Sequence, residues 1–455
     1  MELKDTKRVY FVGIGGIGMA ALARYYMSQG LPVAGYDRTR SELTDALAAE
    51  GATVSYADSM EAIPEDYRSP EGTLVVYTPA VPATNVPLTF FRDGGFELHK
   101  RAQVLGQITR ASKSLCFSGT HGKTTTSSMA AHILHLAGGC NAFLGGILKG
   151  YNSNLMVAPD SPWSVVEADE YDRSFHQLDP YIAVVTATDP DHLDIYGTEE
   201  AYLESFAHFT ELIRPGGALL MHTGLKLKPR PGSDVRVYTY GRHDGDFHAD
   251  RIRTGNGTIV FDFVYPGGRI DDIELGVPVD INVENALAAL GAVWIAGELT
   301  DELARKAIAS YPGVQRRFDF HLKTPGHVII DDYAHHPDEL RSSIASVRAL
   351  YPERRLTVAF QPHLYSRTRD FADEFAAALD MADEVVLIDL YPARELPIEG
   401  ISSRTILDRI KNPKKILISK EDFVSTMKNR TFEVLLTAGA GDLNLYVPAL
   451  ADSYK

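Results

Sequence analysis

Short apolar runs alternate with longer segments of helical periodicity along most of this chain, the pattern of a protein built from βα units. Arg8-Val9-Tyr10-Phe11-Val12 reads as a strand, Gly13-Ile14-Gly15-Gly16-Ile17-Gly18 as a turn, and residues up to Met27 as a helix that Gly30 stops. Residues 32–36 form the next strand, 43–49 a helix and 74–77 a strand, and 96–107 close this first unit. A second series starts at Ser114, with strands predicted at 115–117, 164–167, 182–186 and 218–221. Residues 235–278 then change to short alternating runs separated by Thr254-Gly255-Asn256-Gly257 and Pro266-Gly267-Gly268, which predicts a small antiparallel meander appended to a parallel sheet. An Ala-rich helix from Asn282 to Ala296 and another over 302–311 end at Pro312-Gly313. The third series predicts strands at 327–330, 356–360, 384–388, 415–418 and 432–436, with helices at 337–351 and 368–379. The expected architecture is α/β in three domains: 1–110, Rossmann-like; 111–313, a P-loop ATPase-type domain with the antiparallel addition; and 314–455, Rossmann-like.

Candidate chemistry gathers where strands end, which is where open parallel sheets bind ligands. Ser118-Gly119-Thr120-His121-Gly122-Lys123-Thr124-Thr125-Thr126 lies between a predicted strand and a predicted helix. Its glycines let backbone N–H groups turn inward, and the helix N-terminus adds partial positive charge, so the loop suits phosphate oxygens. Lys123 is placed for the β/γ-phosphates and Thr124 for a magnesium ion. The standard pattern has a glycine where this chain has Phe117, so the loop is a compressed variant.

Two acidic strand ends follow, Glu167-Ala168-Asp169-Glu170 and Asp189-Pro190-Asp191-His192-Leu193-Asp194. Oxygen ligands suit magnesium, and Glu167 is the first candidate, with His192 beside it. The turn at Gly13, Gly15, Gly16 and Gly18, followed by an acid at Asp37, has the spacing of a dinucleotide-binding unit and by itself favours NAD. Asn282 and Asn285 lie three apart on one helix face and read, taken alone, as an N-cap and an exposed amide.

Composition narrows the function classes. The 455 residues fit about three domains at ~150 each, with 45% hydrophobic and 23% charged residues. A net charge of −15 disfavours nucleic-acid and anionic-membrane partners without excluding phosphate ligands held by local groups. Cys116 and Cys140 are the only cysteines and read as buried thiols of a reducing compartment. No signal segment or membrane span is visible, so a cytoplasmic enzyme is expected.

The motifs GIGGIGM (Gly13 to Met19), SGTHGKTTT (Ser118 to Thr126), EADEYDRSF (Glu167 to Phe175), DHLDIYG (Asp191 to Gly197), RRFD (Arg316 to Asp319), DDYAHHP (Asp331 to Pro337) and QPHLYSRT (Gln361 to Thr368) occur in one order. This set, spanning nearly the whole chain, resembles the Mur ligase family of ATP-dependent amide-forming ligases of peptidoglycan precursor synthesis. The resemblance implies that the first glycine turn binds a UDP-sugar rather than NAD. It also implies phosphorylation of the muramoyl carboxylate of UDP-N-acetylmuramate by ATP with magnesium, then attack by L-alanine on the acyl phosphate.

By the same resemblance, Gly119, Thr120, His121, Gly122, Lys123, Thr124, Thr125, Asn282, Asn285 and Asp332 contact ATP, and Thr124, Glu167 and His192 surround the metal. Lys123, Glu167, His192, Arg317 and Asp332 carry catalysis. Gly13, Gly15, Gly16, Gly18, Met19, Asp37, Thr78, Pro79 and Ala80 hold the UDP-sugar, and Tyr333, His335 and Arg367 the amino-acid or product carboxylate. Two positions depart from the family pattern. Leu364 stands where many members carry arginine, so that one carboxylate contact is either missing or supplied by His363 or Arg369, and Ile281 stands where histidine is common, which puts a nucleotide contact from that side chain in question. A recycling ligase that adds a ready-made tripeptide shares several motifs, and a nicotinamide-dependent oxidoreductase is the alternative of another class. A monomer or weak homodimer is expected, with domain closure about hinges near residues 110 and 314.

Overall fold

The protein is described by a computed structural model covering residues 6–190, 193–255, 257–393 and 395–455. It has the expected three-domain α/β architecture, built on three sheets. The first sheet is wholly parallel, in the order Thr53–Ser55, Val33–Tyr36, Arg8–Val12, Thr73–Tyr77, Leu98–Lys100. This is the order of a mononucleotide-binding unit, with a crevice above the first strand where the winding direction reverses.

The second sheet has ten strands. Its centre sets Ile182–Val185, Lys113–Ser118 and Trp163–Glu167 side by side and parallel, so their carboxyl ends share one edge. Continuing from Ile182–Val185 come Ala218–His222, Arg236–Gly241, Phe247–Gly255, Thr258–Tyr265 and Gly268–Glu274. Arg236–Gly241 pairs in parallel with both of its neighbours, so the expected meander starts one strand later than its alternating pattern suggests. On the other side stand Asn141–Leu148 and Ser153–Met156, an antiparallel pair that periodicity missed because Gly145-Gly146 interrupts the apolar run.

The third sheet runs Asp319–Lys323, Val328–Asp332, Val434–Ala438, Leu356–Phe360, Glu384–Ile388, Lys415–Ile418. All its neighbours are parallel except the first strand, an antiparallel edge. The helix expected over 368–379 is two helices, Tyr365–Asp370 and Ala372–Leu379, broken at Phe371, whose φ/ψ of −122°/23° is not helical.

One compact unit runs from the start of the described chain to Asp250 and takes in Asp262–Ile273 and Val283–Tyr311; the other comprises Arg251–Phe261, Glu274–Asn282 and Pro312–Lys455. Within the first unit the first two sheets share one buried cluster that includes Val9, Phe11, Leu105, Cys116, Val166 and Val185. Asn154 fixes the seam by donating its amide to the Ile17 carbonyl at 2.6 Å, and Tyr25 meets Phe143 edge to face at 5.3 Å. Cys116 and Cys140 are buried free thiols, both pushed up to about 12 by burial, which leaves them inert. Among the described residues no helix is long and apolar enough to cross a membrane.

Candidate active site

The strand Lys113–Ser118 delivers the chain into the glycine loop, and the helix Lys123–Ala137 leaves it. Gly119 has φ +137°, and a Cβ there would stand 2.2 Å from Thr186 Oγ1 and 2.7 Å from the Ala187 nitrogen, so only glycine lets the neighbouring strand end pass this close. That strand end closes the loop. Thr120 N–H donates to Ala187 O at 3.1 Å, and the Thr186 hydroxyl donates to His121 O at 2.5 Å. The Thr120 hydroxyl lies 2.7 Å from Asp189 O and 2.9 Å from the Tyr202 hydroxyl. Gly122, at φ +82°, is the last residue before the helix, and Asn285 Oδ1 lies 2.9 Å from where its Cβ would be.

Both asparagines are buried rather than exposed. Asn285 Oδ1 accepts from the Thr126 hydroxyl at 3.1 Å, and the Asn282 amide donates to Val277 O at 3.1 Å. Ile281, by contrast, is 51% exposed.

Glu167 pairs across the sheet with Phe117, which brings its carboxylate beside the helix start. It accepts from Gly145 N–H at 3.0 Å and from the Thr124 hydroxyl. A Cβ at Gly145 would stand 2.3 Å from Glu167 Oε2, so the glycine pair in that strand makes room for the carboxylate. Burial raises the Glu167 pKa, opposed by the Thr124 hydroxyl, Lys123 and the Gly145 N–H. Thr124 and Glu167 thus meet at the start of the helix. His192, the third expected member, lies outside the described residues, as does Asp191; among the described residues no three His, Cys, Asp or Glu side chains form a metal cage.

Lys123 turns back in this structure, donating to Gly119 O at 2.6 Å and lying 2.9 Å from the Glu170 carboxylate. Glu170 was visible only as one of several carboxylates in its motif. Arg101 is a second residue that sequence reasoning missed. Its guanidinium lies over Gly18, where a Cβ would stand 2.3 Å from Nη1, and Nη2 is 3.4 Å from Asp169. Gly18, Arg101, Phe143, Gly145, Glu167 and Asp169 line a cavity of about 220 Å³. The glycine turn of the first domain and the acidic strand end of the second therefore open onto one space.

In that first turn Gly13 has φ +92°, and Gly15 N–H donates to Asp37 Oδ2 at 2.8 Å while Thr39 N–H donates to Oδ1 at 3.1 Å. Asp37 holds the turn together through both oxygens. Gly16 is exposed and Met19 is buried in the core. Thr78, Pro79 and Ala80 follow the strand Thr73–Tyr77, tied by Thr78 N–H to Val12 O at 3.3 Å.

In the third domain Asp332, Gln361 and Gly439 stand where three neighbouring strands end. Arg316 and Arg317 lie 4.7 and 5.5 Å from the Tyr333 ring centre. Arg316 also donates to Gly439 O at 2.7 Å and Gly441 O at 3.0 Å. Asp332 accepts from Phe318 N–H at 3.3 Å and from the Ser343 hydroxyl, and burial raises its pKa. His335 Nδ1 lies 2.9 Å from Tyr333 O and 3.3 Å from Glu339, which fixes its proton on Nδ1; burial lowers its pKa.

Arg367 Nη1 and His363 Nδ1 are both buried without a hydrogen-bond partner among the described residues. Burial, Arg367 and His335 push the His363 imidazole down to about 4, so it is neutral at physiological pH. Of the two stand-ins expected for the arginine replaced by Leu364, Arg369 is engaged with Asp370 at 2.6 Å, whereas His363 has an open nitrogen beside Arg367. Two buried, unpaired nitrogens suit an anion that brings its own acceptors.

Asp331, next to this group, gives a prediction about stability. Its Oδ1 accepts from the Thr437 hydroxyl at 2.5 Å, its other oxygen is buried without a partner among the described residues, and burial pushes it up to about 7. A carboxyl whose folded pKa is raised keeps its proton longer in the native state, so its contribution is full below about pH 4 and is lost as pH rises through 7. Asp331→Asn is expected to raise Tm at pH 8 and leave it near the wild-type value at about pH 3.5, below the unfolded carboxyl's own titration. The expected gain at pH 8 is a few kcal/mol, because each tenfold change in an ionisation constant is worth about 1.4 kcal/mol. Scanning calorimetry at the two pH values checks it, and equal Tm values at pH 8 would contradict the raised pKa.

Three family models match along the chain: the Mur ligase family catalytic domain over residues 8–113, the Mur ligase middle domain over 117–293, and the Mur ligase glutamate ligase domain over 316–450. The chain is 55% identical to a UDP-N-acetylmuramate–L-alanine ligase of Phocaeicola vulgatus over 99% of its length and 98% of the relative's. It is 52% identical to the enzyme of that name from Porphyromonas gingivalis, covering 97% of each chain. The crystal structure of a UDP-N-acetylmuramate–alanine ligase from Thermotoga maritima superposes with a TM-score of 0.82 at 27% identity, over 98% of this chain and 99% of that one. A murein peptide ligase from Psychrobacter arcticus shares the fold, with a TM-score of 0.63 at 19% identity and 98% coverage of both chains.

Proposed function

The chain belongs to the Mur ligase family, and from that premise we propose that it joins L-alanine to the muramoyl carboxylate of UDP-N-acetylmuramate, using ATP, in peptidoglycan precursor synthesis. The observation that carries this reading is full-length likeness at 55% identity to a ligase of that activity, on a chain whose loop lysine, loop threonine and strand-end carboxylate have come together. The nicotinamide alternative has no support beyond the glycine turn, which the family shares without being a family of oxidoreductases.

The chemistry needs charge neutralisation and alignment rather than a protein nucleophile. A muramoyl carboxylate oxygen bonds to the γ-phosphorus as the bond to the bridging oxygen breaks and ADP leaves. The L-alanine amine then adds to the acyl carbon, loses a proton and expels inorganic phosphate, leaving the amide. Lys123 is assigned to the β/γ-phosphates, and the loop N–H groups of Gly119 to Thr125 to the rest of the triphosphate. Thr124 and Glu167 would hold magnesium, which when bound neutralises phosphate charge. Arg101, in the cavity beside Glu167, is suited to an anionic group of the UDP-sugar. Gly13, Gly15, Gly16, Gly18, Asp37 and the Thr78–Ala80 loop are assigned to its UDP end. Tyr333, His335 and Arg367, with His363, are assigned to the amino-acid carboxylate. Asn282, Asn285, Arg317 and Asp332 are proposed as nucleotide contacts on the motif resemblance.

A coupled phosphate-release assay with UDP-N-acetylmuramate, ATP, magnesium and either L-alanine or L-alanyl-γ-D-glutamyl-diaminopimelate tests the reading. Turnover with L-alanine is expected. Turnover with the tripeptide alone would overturn it in favour of the recycling reaction.

A further inference from the structure

Glu170 is a carboxylate the reaction scheme above leaves without a task, and its surroundings are those of a built site. The side chain is 2% exposed, and Lys123 Nζ lies 2.9 Å from both carboxylate oxygens. Burial raises its pKa, and the Lys123 ammonium is the largest influence opposing that rise. The backbone that carries it is pinned from two directions: Glu170 O accepts from the Tyr196 hydroxyl at 2.5 Å and from Arg173 N–H at 2.9 Å. The turn that follows places two successive non-glycine residues, Asp172 and Arg173, at φ +51° and +55°, and the Arg173 guanidinium covers the Tyr196 ring at 4.6 Å. Backbone in that region is held only where its surroundings over-determine it, here just after the residue that carries the carboxylate.

The two strand-end carboxylates are divided between the two functional side chains of the loop. Glu167 takes the Thr124 hydroxyl and Gly145 N–H, while Glu170 takes the Lys123 ammonium. An ammonium has three donors, and in this structure they go to Gly119 O, to Thr120 O at 3.4 Å and to Glu170. The two carbonyl acceptors carry no net charge and are exchangeable for phosphate oxygens. The Glu170 bond is charge-assisted and buried, and breaking it would strand a carboxylate away from water.

We infer that Glu170 is a positioning residue for phosphoryl transfer, remaining the counter-ion of Lys123 when the ammonium turns from the loop carbonyls to the nucleotide. This rests on the ligase reading above. Its cost falls on ground-state binding, because a fixed negative charge beside the lysine opposes a triphosphate. Its benefit falls on the transition state, where a lysine held at one place meets charge developing on the transferred group.

The test is Glu170→Gln, which keeps size and an acceptor while removing the charge, with Glu170→Asp as the conservative partner. In Glu170→Gln we expect a non-hydrolysable ATP analogue with magnesium to bind about tenfold tighter by calorimetry, while kcat for phosphate release falls about a hundredfold. Glu170→Asp should recover part of both changes, and in a Lys123→Met background Glu170→Gln should cost no further kcat. A purely structural carboxylate would instead weaken the analogue and reduce kcat equally in both backgrounds. Unchanged or weaker analogue binding, or unchanged kcat, overturns the inference. Absence of turnover in the wild-type protein would overturn the ligase reading, and the calorimetric comparison would still decide whether Glu170 opposes the triphosphate through Lys123.

Discussion

Lys123→Met is expected to lower kcat for phosphate release by about a thousandfold or more, since on the proposed mechanism it removes the loop cation assigned to the transferred phosphoryl group. The same change has a second consequence that would be mistaken for the first. With the ammonium gone, Glu170 is left 2% exposed with its ion-pair partner removed, and stranding one partner of a buried ion pair typically costs ~3 to 5 kcal/mol. A lower Tm is therefore expected of the single variant, and loss of activity could be read as loss of fold. The Lys123→Met/Glu170→Gln pair separates the two, because it removes the stranded charge and should restore Tm toward wild type while kcat stays down. Scanning calorimetry beside the phosphate-release assay checks both. Turnover of the single variant within tenfold of wild type would remove Lys123 from the mechanism.

What the chain disclosed before folding, and what it withheld, follows from how far apart the partners lie in sequence. The glycine loop, its lysine and threonine, and the strands that feed it could be read locally, because strand, turn and helix signals are contiguous over residues 113–137. The choice among neighbouring carboxylates could not. Glu167 and Glu170 are three residues apart in one acidic run, and their separate partners appear only when the strands register Phe117 against Glu167 and the chain beyond the strand sets Glu170 against Lys123. Arg101 was silent for the same reason, since Asp169 is 68 residues away in the chain.

Local pattern misled where packing overrides it. The strand Asn141–Leu148 contains a glycine pair that argues against a strand, yet the Glu167 carboxylate requires the space beside Gly145. Asn282 and Asn285 look like surface polar residues at a helix start until the helix is packed and both amides are buried. In the third domain two motifs supplied Tyr333, His335 and Arg367, but only the fold distinguishes His363 from Arg369, because Arg369 finds its adjacent acid while the His363 Nδ1 is enclosed.

That enclosure sets the second large effect, at Arg367. Arg367→Lys is expected to raise the KM for L-alanine by roughly thirtyfold with kcat little changed, the signature of lost uniform binding. Lysine keeps the charge but not the planar fork that matches a carboxylate, and a charge-assisted bidentate pair is worth on the order of 2 kcal/mol. The unpaired Nη1 is what makes the fork matter, since in the free protein it is buried beside His363, a neutral imidazole that contributes no charge of its own. A carboxylate arriving there satisfies both nitrogens at once, whereas the shorter ammonium of lysine reaches at most one oxygen squarely. The KM for ATP should not move, and that comparison gives the variant its discriminating power. If ATP rather than L-alanine binding weakens, Arg367 belongs to the nucleotide and the amino-acid carboxylate must be sought around Arg316 and Tyr333. If neither KM changes, the orphaned nitrogens are a structural feature of the third domain, and the assignment of the amino-acid site to the ends of its strands falls with them.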